Sequence, residues 1–115
     1  MQNKWLIADY HKQNEMSVEQ DKFEEMFLNI QSAESAVRGF AGSGNPRFIA
    51  GFPKFIDSIR SNFRQLQKFQ DINHSSLDPV LFSTLGKLVK EKIEFTQQVK
   101  QLCEKNDFAA AISLI

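Results

Sequence analysis

Cysteine is almost missing from this chain of 115 residues, with Cys103 the only one. One thiol excludes an internal disulfide and any zinc site built from several cysteines. It leans only slightly toward a reducing compartment, because simple periplasmic domains also manage without disulfides. Histidine is nearly as scarce. His11 and His74 stand 63 positions apart, and neither belongs to a His-Glu-x-x-His, Glu-x-x-His or Cys-x-x-Cys-His pattern. A metal or haem centre in a helical protein needs such ligands on facing helices, so no cofactor is expected. No apolar run approaches the roughly 18 residues that cross a bilayer. Met1 is followed by a mixed polar stretch rather than the basic flank and apolar core of a signal peptide. Taken literally, that places the chain in the cytosol, although a piece of a longer protein carries no address in its own ends. An excess of one charge is also absent: Lys+Arg and Asp+Glu are 14 each, for a formal net charge of zero. Nothing in that balance calls for nucleic acid or for a strongly charged partner.

What is present is a globular composition, 42% hydrophobic and 24% charged, at a length that fits one domain, 1–115. The aromatic residues are Phe 11, Trp 1 and Tyr 1. Phenylalanine has no polar handle, so these rings read as core rather than as hydrogen-bonding sites. They could also line an apolar ligand pocket between helices.

Periodicity predicts four helices and no strands. Phe23, Phe27, Ile30, Ala33, Val37 and Phe40 form one face of a long first helix that runs to about Ala41. Its start is open: Ser17 with Gln20 fits a capping box, or the helix runs unbroken from about Asn3, past Trp5 and Tyr10. Gly42, Ser43 and Gly44 end it, Asn45 caps the next helix, and Pro46 takes the first position, where a missing N–H costs nothing. The second helix shows Phe48, Phe52, Phe55, Ile59, Phe63 and Leu66, with Pro53 inside it as an expected kink. After a loop at 73–76, Asp78-Pro79 repeats the cap-then-proline start. The third stripe is Leu81, Leu85, Leu88, Val89, Thr96, Val99 and Leu102, interrupted by Lys92. Asn106 in a left-handed conformation closes that helix, and Asp107 caps a fourth carrying Phe108, Ala111, Ile112 and Ile115. Short connections imply antiparallel neighbours: an all-α, up-and-down four-helix bundle with a long first helix and a truncated fourth. A stub of that length leaves apolar stripes containing Phe23, Phe63, Leu66 and Leu81 without a fourth wall, which predicts a parallel homodimer.

Few residues offer chemistry. Gly39, Gly42 and Gly44 are spaced as G-x-x-G-x-G, the reverse of a dinucleotide fingerprint, and they follow a helix rather than a strand, so they read as a helix-ending turn. Glu34 and Arg38 are an i,i+4 pair, an intrahelical salt bridge worth a few tenths of a kcal/mol. In a sharper version, Arg38 is partly buried at a cleft and grips a ligand carboxylate. Cys103 reads as a small buried apolar side chain.

From Glu34 to Asn45 the chain reads Glu-Ser-Ala-Val-Arg-Gly-Phe-Ala-Gly-Ser-Gly-Asn. This resembles the hallmark of an extracellular sensory family, the third type of the CHASE class. That pattern is Glu-x-x-x-Arg-Gly-aromatic followed shortly by Ser/Thr-Gly-Asp/Asn. Glu34, Arg38, Gly39, Phe40, Ser43, Gly44 and Asn45 match it. Phe48 and Phe52 resemble the aromatic positions that follow. Leu77, Leu88, Lys92 and Phe95 fall in a stretch similar to the family's third helix, and residues 107–111 resemble the opening of its fourth. The likeness covers residues 23–115, leaving 1–22 as a membrane-proximal extension. Pro53 departs from it, since the family's proline falls nearer position 51, here Gly51. The resemblance implies a non-catalytic periplasmic or extracellular input domain, reaching the membrane only through flanking segments. It would answer an unknown small-molecule or protein stimulus and drive a histidine kinase, cyclase or chemoreceptor output. In that family Glu34 and Arg38 can be structural, fixing the membrane-distal turn. The rival expectation is a soluble helical adaptor that binds partner proteins.

Overall fold

In the computed structural model the backbone is described from Asn3 to Ile115 and side chains from Val18 onward. Trp5, Tyr10, His11 and most of the 1–22 extension therefore lie outside the described side chains. Four helices follow in order: α1 (Asn3–Ser43), α2 (Phe52–Asp71), α3 (Pro79–Glu104) and α4 (Phe108–Leu114), with a 3-10 turn (Pro46–Ile49) between α1 and α2. No strand occurs among the described residues. The helix passes unbroken through Ser17, so the capping box there starts nothing.

The stops and caps do what their chemistry requires. Gly44, at φ +69°, ends α1 in the left-handed region, and its N–H donates to the Phe40 carbonyl at 2.8 Å. Asn73 and Asn106, at φ +59° and +61°, close α2 and α3 in the same way. In each case that asparagine's N–H donates three residues back, and the next N–H, of His74 or Asp107, donates five back to Phe69 or Leu102. Those paired bonds are the Schellman closure. Asp78 accepts from the Val80 N–H at 2.7 Å, and Asp107 from the Ala110 N–H at 3.2 Å.

Pro53 does not kink a helix. The expected second helix is two pieces, and Pro53 lies in the first turn of α2, just after Gly51. An N–H there has no intrahelical acceptor, so its absence costs no bond.

Helix α1 is the spine against which α2, α3 and α4 all pack. Its neighbours are fixed in direction by cross-links. Asn29 meets Asn62 while Glu25 also meets Asn62, and the 3-10 turn brings α2 back antiparallel. Glu19 meets Ser76 and Glu34 meets Lys92, so α3 runs parallel to α1. Phe40 meets Phe108 edge-on at 5.9 Å, and α4 turns back from there.

The core centres on Met26, Ala33 and Val37 of α1, Phe52, Ile59 and Leu66 of α2, and Val89, Val99 and Cys103 of α3, closed by Ala111 of α4. Two expected stripes are buried only in part. On α1, Ile30, Ala33, Val37 and Phe40 are buried while Phe27 is 48% exposed. On α3, Val89, Thr96 and Val99 are buried while Leu81 and Leu88 are 59% and 54% exposed, and Phe82, Ile93 and Cys103 turn inward in their place. Leu66 keeps a full wall and is wholly buried, while Phe63 stacks on Phe82 at 5.1 Å. The uncovered apolar surface therefore falls on the α1–α3 side. There Phe23, Phe27, Leu77, Leu81 and Leu85 line a groove of about 490 Å³.

Candidate functional site

The stretch from Glu34 to Asn45 folds into one connected end of the bundle. Gly39 is the seat for the aromatic residue that follows the turn: a Cβ there would overlap the Phe48 ring, meeting its Cγ at 2.8 Å. The next residue, Phe40, is buried and packs on Phe108, which ties α4 to the same end. The Ser43 hydroxyl donates to the Gly39 carbonyl at 2.6 Å and accepts from the Asn45 N–H at 3.0 Å. Gly44 makes the left-handed step. The Asn45 side chain then accepts from the Arg47 N–H at 3.0 Å, capping the 3-10 turn. Replacing Asn45 by alanine is expected to lower stability by about 1 kcal/mol, the usual cost of a lost cap. Urea unfolding followed by circular dichroism measures it, and an unchanged midpoint would contradict the capping role.

Glu34 and Arg38 do pair, with Arg38 Nη2 donating to Glu34 Oε2 at 3.0 Å. The link to a neighbouring helix comes through the acid: Lys92 Nζ of α3 lies 3.1 Å from Glu34 Oε1. Lys92, which interrupts the apolar stripe of α3, is thus the partner that α1 requires. The Arg38 side chain is 59% exposed, against 21% for Glu34. Together with Val37, Phe95 and Ile115 these residues border a cleft of about 370 Å³. Two cations sharing one carboxylate suit an anion better than a cation. Exposed pairs of this kind contribute at most about 1 kcal/mol and give way readily to a competing ligand.

Two polar features inside the bundle left no mark in the sequence. The first is a relay from Lys22 through Glu25 and Asn62 to Asn29, with contacts of 3.1, 3.1 and 3.0 Å. Asn62 is buried, and its amide both donates and accepts across the α1–α2 seam, which fixes the register of the two helices. The second is Glu19, 1% exposed. Its Oε1 accepts from both the N–H and the hydroxyl of Ser76 at 2.8 Å, and its Oε2 is buried without a partner. The amphipathic pattern of α1 gives no warning of a buried carboxylate whose partner lies 57 residues away.

Cys103 is buried, as expected. Burial, and then the neighbouring Glu104 charge, push its thiol above the ordinary range, so it is neutral and weakly nucleophilic at pH 7. Among the described residues no three of His, Cys, Asp and Glu gather as a metal site, and no helix is long and apolar enough to cross a membrane. Comparison with protein-family models, with curated proteins and with solved structures returns no match.

Proposed function

We propose that this chain is a sensory input module of a transmembrane receptor, of the CHASE type that its Glu34–Asn45 motif resembles, and that it acts without catalysis. The observation that supports this is the joint use of the motif residues. Glu34 and Arg38 join α1 to α3 through Lys92, Gly39 seats Phe48, Phe40 holds α4, and Ser43 and Asn45 set the turn. One end of the bundle is thereby clamped, while α1 and α3 run parallel away from it. A stimulus that shifts α1 relative to its neighbours would be passed along a stiff helix of 41 residues to the far end. There, in the periplasmic or extracellular part of the parent receptor, it would move the attached transmembrane helices and so bias a two-state output across the membrane. Arg38 is the candidate contact for an anionic stimulus, since its guanidinium is exposed beside the α1–α3 cleft.

In this proposal two copies pair in parallel through the α1–α3 face, where Phe27, Leu81, Leu88 and Phe95 are exposed. Sedimentation of the 115-residue chain tests the pairing. A dimer is expected at ~100 µM, well above the ~1 µM dissociation constant that corresponds to about 8 kcal/mol. Leu88→Lys should shift it to monomer with its helical circular dichroism unchanged. A cooperative monomer at that concentration in the parent chain would contradict the pairing. The same exposed face favours the second reading, a helical adaptor that docks a different protein on α1 and α3.

A further inference from the structure

We infer that the cleft between α2 and α3 binds a monomeric amphipathic anion: a single alkyl chain ending in a carboxylate. Helices α2 and α3 both lean on α1 but touch one another sparsely. They meet at the Phe63–Phe82 stack and where Lys100 lies over the Phe52 ring at 5.4 Å. Between these contacts opens a cleft of about 560 Å³, within the roughly 300–1,000 Å³ typical of small-molecule sites. Its floor is apolar: Val89 and Ile93 are buried, and Phe63 is half-buried. Gly86 keeps one bank low, because a Cβ there would meet Phe63 Cζ at 3.0 Å.

The rim carries the opposite chemistry. Arg60 and Arg64 stand one turn apart on the α2 bank, facing Lys90 and Glu94 on α3, and all four are exposed. No ion pair joins Arg60, Arg64 or Lys90 to an acid among the described residues. In a chain of zero net charge, three unpaired cations and one acid around an apolar floor form a local positive excess. Guanidinium groups at that edge suit the planar fork of a carboxylate, and the floor suits the alkyl chain that follows it. The groove on the α1–α3 side is as apolar but has no charged residue in its lining, so it lacks the headgroup contact. The proposal concerns binding alone and stands apart from the receptor reading and from the pairing face.

Isothermal titration of the full chain with dodecanoate, kept below micelle formation, tests it. One dodecanoate per chain is expected, bound at least about 10-fold more tightly than dodecyltrimethylammonium. An Arg60→Gln/Arg64→Gln double variant should weaken it by at least about 10-fold with unchanged helical circular dichroism. Lys68→Gln, at a separate cleft on the α1–α2 side, should leave it unchanged. Absence of binding, equal affinity for the two amphiphiles, full affinity in the double variant, or weakening by Lys68→Gln would each overturn the assignment. So would binding to phosphatidylglycerol vesicles without binding to monomeric dodecanoate, because the occupant would then be a membrane surface.

Discussion

Replacing Phe52 by alanine is expected to destabilise the chain by about 3–5 kcal/mol, the range for truncating a fully buried aromatic ring. Phe52 is 2% exposed and opens α2 after the turn at Ala50–Gly51. Its ring lies beneath Lys100 at 5.4 Å and closes the α2–α3 seam near the motif end. Phe48→Ala supplies the contrast. That ring is 49% exposed, so its loss should cost only about 1 kcal/mol, in proportion to the area it hides. Urea unfolding of both variants measures the difference. Equal losses would mean that the core does not reach the turn.

Glu19→Ala is expected to cost about 1.5–3 kcal/mol, the scale for hydrogen bonds to a charged group. The carboxylate holds the α2–α3 loop by two bonds to Ser76, and its removal leaves that N–H without its partner. Part of the loss is offset, since a buried carboxylate with one unpartnered oxygen is expensive to desolvate. A double-mutant cycle with Ser76→Ala separates the hydroxyl bond from the backbone bond. The coupling between the two variants should be positive but smaller than the loss in Glu19→Ala, because the Ser76 N–H survives the second change. A Glu19→Ala chain within about 0.5 kcal/mol of the parent, the ordinary range for surface substitutions, would show that Glu19 is not a tether.

The fold was legible wherever short-range chemistry decides it. Asn45, Asp78 and Asp107 cap because a side-chain oxygen reaches an N–H two or three residues on. Asn106 closes a helix because asparagine tolerates the left-handed region. Rotation about the helix axis was less legible. Helix α3 carries two apolar stripes: Leu81, Leu88 and Phe95 recur every seven residues, while Phe82, Val89, Ile93, Val99 and Cys103 also follow helical spacing. Periodicity finds both stripes, and only packing against α1 determines that the second is buried. The place of Pro53 in the first turn of α2 is hidden from periodicity for a related reason. Phe48, Phe52 and Phe55 are spaced as one helical face, although a turn at Ala50–Gly51 separates the 3-10 segment from α2. At the candidate site the Glu34–Arg38 pair follows from spacing. The third member, Lys92, belongs to another helix, and no local rule finds it.

The receptor proposal stands or falls on which side of a membrane this domain occupies. The direct measurement joins alkaline phosphatase behind Ile115, preceded by all that its gene encodes upstream, and assays the reporter in living cells. That enzyme needs disulfides, which form outside the reducing cytoplasm. The account predicts a membrane-associated fusion with strong phosphatase activity. A stably produced fusion that is silent and found in the soluble fraction would contradict it.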